Sequence, residues 1–110
     1  MRELGVRATD LFSRDLENAA AYYLQRAGER SASRFLSSFD EFCHLVAVFP
    51  GYGALVGDTE LRWRKLGAFV AIYYEDKEAG EVILLRLYYI SSDWRHLALG
   101  IALPVDAPGE

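Results

Sequence analysis

The sequence predicts an α+β domain: a helical hairpin packed on one face of a twisted antiparallel sheet, in the order β-α-α-β-β-β. Two observations predict it. In the first half of the chain, apolar residues recur every three or four positions, the repeat of a helix face. In the second half, three short segments rich in β-branched and aromatic residues alternate with turn signals, which marks a strand meander.

The elements follow in order. A short strand near Gly5–Ala8 adds an edge to the sheet. Phe12, Leu16, Ala19, Ala20, Tyr23 and Ala27 then form one apolar helix face. Thr9 or Asp10 can cap its start by accepting an orphan backbone N–H. Gly28 sits where the helix end calls for a left-handed residue. Ala32, Phe35, Leu36, Phe39, Phe42, Cys43, Val46 and Phe49 make the apolar stripe of a second helix, which Ser31 can cap and Pro50-Gly51 ends. So short a break between amphipathic helices implies an antiparallel hairpin. Strands are expected at residues 61–66, 68–75 and 81–90. Lys65-Leu66-Gly67 holds one turn and residues 76–80 the other. Pro104 and Pro108 oppose regular structure, so residues 1–99 read as one domain and 100–110 as a tail.

Composition bounds the function. The chain has 110 residues, 52% of them hydrophobic and 14% aromatic, which excludes intrinsic disorder. No apolar run approaches the roughly 18 residues of a membrane span. The N-terminus lacks the apolar core of a signal peptide, and the one cysteine, Cys43, allows no internal disulfide and no cysteine-based zinc site. The expectation is a cytoplasmic protein without a metal or other cofactor. Twelve Lys and Arg against sixteen Asp and Glu give a net charge of −4, which weighs against direct nucleic-acid binding. Glu75, Asp76, Glu78 and Glu81 crowd one expected turn and equal that whole excess. Arg62, Arg64 and Lys65 concentrate positive charge on a neighbouring strand. The field is therefore polar rather than uniformly acidic.

Many weak matches in order and spacing resemble the ParE/RelE superfamily of bacterial toxins, whose genes pair with an antitoxin. The ParE branch is the nearer. Asp15-Leu16 and Tyr22-Tyr23 fit its first helix, and Ala32 and Arg34-Phe35 its second. Leu45, Phe49-Pro50 and Gly53 fit its helix exit. Leu61-Arg62, then Phe69, Ile72 and Tyr74, then Leu85-Arg86-Leu87 fit its strands, and Ser92-Asp93 takes the place of its terminal Arg-Asp. The resemblance spans residues 6–99. It implies a toxin that binds and inhibits DNA gyrase, needs no cofactor, is not an enzyme, and is neutralised by a cognate antitoxin. The alternatives it leaves are an mRNA-cleaving toxin of the ribonuclease branch and a toxin-like protein that has lost toxicity. Two departures motivate the last: Tyr89 stands where the family has His, and Ser92 where it has Arg.

The residues read for partner binding are Tyr22, Arg62, Arg64, Arg86, Tyr89, Asp93 and Trp94; none is read as catalytic. Arg62 and Arg64 share one face of a strand because side chains alternate. Arg86 lies one strand removed. Each of these cations has a plainer reading as a solvated partner of Glu60, Glu75 or Asp93. Tyr22 is either a peptide anchor or a cover for the hairpin edge. Trp94 is expected to fold back on the sheet, with Asp93 capping a short helix through Leu99. RNA cleavage would call on His96, Tyr89 and Arg86 for acid, base and cation. Cys43 and His44 are adjacent on a helix, so they point about 100° apart and do not form a catalytic pair.

Overall fold

The computed structural model describes residues 3–103. Strand β1 (Gly5–Ala8) leads into helix α1 (Asp10–Val48) and a 3-10 turn (Pro50–Tyr52). Strands β2 (Ala54–Leu55), β3 (Arg62–Leu66), β4 (Phe69–Asp76) and β5 (Glu81–Tyr89) follow, and helix α2 (Trp94–Leu99) comes last. The hydroxyl of Thr9 caps α1, accepting from the Phe12 amide at 3.1 Å. No described helix is long and apolar enough to cross a membrane.

The expected hairpin is present, but its turn is shorter than predicted. Helical backbone runs through α1 on both sides of Gly28, which alone departs from it, at φ 87° and ψ −179°. A residue with a Cβ is strained there, so glycine makes a one-residue reversal. Ser31 lies within the second arm rather than capping it. The arms run back along each other. Phe12 meets Phe39 with ring centroids 5.7 Å apart, and Tyr23 stacks on Phe35 at 4.7 Å. An unbroken helix would hold Phe12 and Phe39 about 40 Å apart at roughly 1.5 Å per residue.

The sheet order is β1-β5-β4-β3-β2. The meander pairs antiparallel throughout. β1 joins as the expected edge but runs parallel to β5, Gly5 opposite Glu81 through Ala8 opposite Leu84, so the sheet is mixed. β2 was not legible in the sequence; two residues are too few to show a period.

Both faces of the sheet are covered. Phe69 through Tyr74 of β4 are all buried. Toward the hairpin, Ala71, Tyr73, Val82, Leu84 and Leu87 pack with Phe12, Ala19, Phe35, Phe42 and Val46. Away from it, Val70, Ile72, Ile83 and Leu85 pack with Trp94 and Ala98 of α2. Burial of each such large side chain contributes about 1.5–3 kcal/mol, so two cores serve one sheet. Trp94 folds back as expected. Asp93 does precede α2, yet its side chain makes no capping hydrogen bond; its carbonyl accepts from the Leu97 amide at 3.1 Å. The expected tail begins in contact, because Ile101 and Leu103 pack on this second core. Pro104, Pro108 and the rest of the tail lie outside the described residues.

Candidate partner-binding surface

Alternation along β3 divides its side chains. Arg62 and Arg64 stand opposite Tyr73 and Ala71, both on the hairpin side, while Trp63 and Lys65 stand opposite Ile72 and Val70 on the other. Arg62 Nη1 donates to the Gly53 carbonyl at 2.8 Å. The Arg64 guanidinium lies 4.0 Å over the Tyr52 ring, a favourable contact for a cation on an aromatic face. These two cations therefore sit together near the outer edge of the sheet, as their spacing predicts.

Arg86 does not join them. The β4–β5 register slips between Ile72 and Tyr73, and Arg86 turns toward α1 instead. Its Nε and Nη2 donate to the two carboxylate oxygens of Asp15 at 2.7 and 3.2 Å, and the same carboxylate accepts from the Leu87 amide at 2.9 Å. The hydrogen bond to Asp15 holds the Arg86 proton more tightly than usual, against the opposing effect of burial. None of the expected carboxylates, Glu60, Glu75 or Asp93, is its partner. Asp15 is 71 residues away in sequence, so no local pattern reveals it.

The remaining candidates fall into two groups. Tyr22 and Tyr89 are brought together, with ring centroids 5.4 Å apart, and both pack on Phe69. Arg26 covers the Tyr22 ring at 4.7 Å. Tyr89 remains 48% exposed, so this aromatic cluster reaches the surface. Trp94 is buried on the opposite face against Trp63 at 4.9 Å, and Arg95 lies over both indoles. Asp93 is exposed beside it. Ser92 donates its hydroxyl to the Tyr89 carbonyl at 2.6 Å, which shapes the turn out of β5. Sequence reasoning missed Tyr52 and Leu45, which border the basic edge; their only signal was proximity to the helix exit.

A family model for the ParE toxin of type II toxin–antitoxin systems, parDE, matches residues 6–94. The chain belongs to the ParE toxin family. No individually curated protein sequence matches it. Among solved structures, it is similar to a chromosomal ParDE system from P. aeruginosa, with 17% identity, a TM-score of 0.67, and coverage of 81% of this chain and 98% of that one. It is similar to the RelBE2 toxin–antitoxin complex from Mycobacterium tuberculosis, with 20% identity, a TM-score of 0.55, and coverage of 84% and 97%. A metal-bound toxin from Helicobacter pylori aligns with 17% identity, a TM-score of 0.57, and coverage of 80% and 96%. At such identities these likenesses concern the fold. In this ParE toxin, no group of three metal-ligating side chains occurs among the described residues.

The groups that RNA cleavage would use are dispersed in this ParE chain. Tyr89 packs on the hairpin side, Arg86 is tied to Asp15, and His96 is exposed on α2 against the opposite face. Cys43 and His44 diverge as expected: the thiol is half-buried and the imidazole exposed, 3.6 Å from Asp40.

Three groups make the ParE fold sensitive to alkali. Burial, reinforced by Asp40, pushes the Cys43 thiol from 9.0 up to about 11. Burial also raises Tyr73 and Tyr88 above their usual 10.0, outweighing the hydrogen bond and cations that oppose it. Each group keeps its proton to higher pH when folded than when unfolded. Their contribution is therefore intact below pH 9 and is lost as pH rises toward about 11. The urea midpoint is expected to fall across that window, and Cys43→Ala to delay the onset. In the same protein, Cys43 is expected to react with a disulfide reagent at pH 8 far more slowly when folded than in urea.

Proposed function

We propose that this protein is a cytoplasmic toxin that binds and inhibits DNA gyrase and is neutralised by a cognate antitoxin. The observation that carries the reading is membership of the ParE family across residues 6–94. The dispersal of His96, Tyr89 and Arg86 supports an inhibitor that acts by binding rather than by cleaving RNA. The titles of the similar ParDE and RelBE2 structures name two-component toxin–antitoxin systems, which supports a protein antitoxin as partner here.

The test has two arms. Purified protein is added to gyrase with relaxed plasmid, and supercoiling and trapped gyrase–DNA adducts are measured. Inhibition that the product of the adjoining small gene relieves is the expected result. Unimpaired supercoiling, with codon-positioned cuts in mRNA on translating ribosomes, would replace this reading with the nuclease. Harmless overexpression without the antitoxin would leave a binding module that has lost toxicity, as Tyr89 and Ser92 suggest.

A further inference from the structure

Strand β3 is covered along only part of its outer side. β2 pairs with Arg62 and Trp63 alone, so Arg64, Lys65 and Leu66 have no strand partner there among the described residues. The corresponding side of β5 is closed. β1 pairs with it from Glu81 to Leu84, the Thr9 hydroxyl donates to the Leu85 carbonyl at 3.2 Å, and Asp15 accepts from the Leu87 amide. An open strand edge presents backbone groups on which another strand can form.

Charge separates this edge from the rest of the surface. Arg7 and Arg86 each pair with a carboxylate, whereas Arg62, Arg64 and Lys65 form no ion pair among the described residues. A groove of about 240 Å³ runs beside the edge, bordered by Ser38, Glu41, Leu45, Tyr52 and Leu66. Glu41 supplies the only carboxylate lining it. Leu45 is 40% exposed, an apolar wall open to solvent. The edge is also held in place, because the Ala68 amide in the β3–β4 turn donates to the Tyr23 hydroxyl of α1 at 2.8 Å. A preformed edge loses little freedom on binding.

We propose that the edge formed by Arg64, Lys65 and Leu66 takes an extended, acidic strand from a protein partner. The apolar side chains of that strand lie in the groove against Leu45 and Tyr52. The inference rests on the reading above, that a protein antitoxin holds this toxin, and adds where the contact lies and what chemistry it needs. A second copy of this chain is a poor occupant. Edge-to-edge pairing would set Arg64 and Lys65 against like charges, which destabilises a strand pair.

The probe is the purified product of the adjoining small gene, titrated against wild type and the double variant Arg64→Glu/Lys65→Glu. Both side chains are exposed, so unchanged circular dichroism and melting temperature are expected to show an intact fold. The double variant is expected to bind about tenfold more weakly or worse in low salt, with a smaller deficit in high salt. Hydrogen exchange is expected to slow at residues 64–66 when the wild-type complex forms. A complex of wild-type affinity with unprotected residues 64–66 overturns this inference and leaves the antitoxin reading standing. Absence of any complex overturns both. Self-association of wild type that the double variant abolishes gives the edge to a second copy and also overturns it.

Discussion

Replacing Asp15 with alanine is expected to lower the unfolding free energy by about 2–4 kcal/mol, measured by urea denaturation with an unchanged m-value. The carboxylate is 12% exposed and the Arg86 side chain 31%. It accepts two hydrogen bonds from Arg86 and one from the Leu87 amide. Alanine removes all three at once. A half-covered guanidinium then lacks its counter-charge, and a strand amide lacks its acceptor. An orphaned buried donor alone costs about 1–3 kcal/mol, and a broken buried ion pair about 3–5. The partial exposure of Arg86 places the expected value below the sum. Asp15→Asn keeps an acceptor for Leu87 and is expected to lose less than half as much. Equal losses for the two variants would mean that the charge, not the amide bond, sustains this contact.

Gly53→Ala is expected to lower stability by about 3 kcal/mol, in the upper range for forcing atoms into a packed site. A Cβ at Gly53 would lie 2.6 Å from the Trp63 carbonyl and 3.0 Å from the Tyr73 hydroxyl. Neither can retreat freely. The Trp63 carbonyl is backbone of a paired strand. The Tyr73 ring is fully buried, and its hydroxyl accepts from the Gly53 amide at 2.7 Å and donates to the Pro50 carbonyl at 2.8 Å. Tyr73→Phe tests the same clasp from the other side. It leaves Gly53 N–H and the Pro50 carbonyl without their partner, which is expected to cost about 1–3 kcal/mol. Because the two variants damage one contact, their combined loss should fall short of additive. Full additivity in thermal melts would show two independent contacts. Either variant is also expected to loosen Arg62, whose anchor is the Gly53 carbonyl.

The meander was legible because turn residues and β-branched runs are local signals. The helical face through Phe12, Ala19 and Tyr23, and its end at Gly28, were legible for the same reason. What escaped was non-local. The direction of β1 depends on a partner about 75 residues on, and four residues carry no directional preference of their own. The register slip beside Tyr73 sent Arg86 to Asp15, although alternation alone left it near Arg62. The second core depended on Trp94 meeting Trp63, a contact that joins two segments with separate local patterns. Of the candidate surface, the cationic pair Arg62 and Arg64 was legible, and so was the exposure of Tyr22 at the hairpin flank. The openness of the edge at Lys65 was not, because it follows from the shortness of β2.

The parallel pairing of β1 with β5 bears on how the chain is made. The first strand to leave the ribosome pairs with the last, and the Asp15–Arg86 bond spans the same interval. Both contacts close a loop of most of the domain, which is entropically slow to form. At roughly 5–20 residues per second of synthesis, the helical hairpin has seconds to assemble before β5 exists. Gly5–Ala8 must wait through that interval, and the sheet is sealed only when translation of the domain is nearly complete.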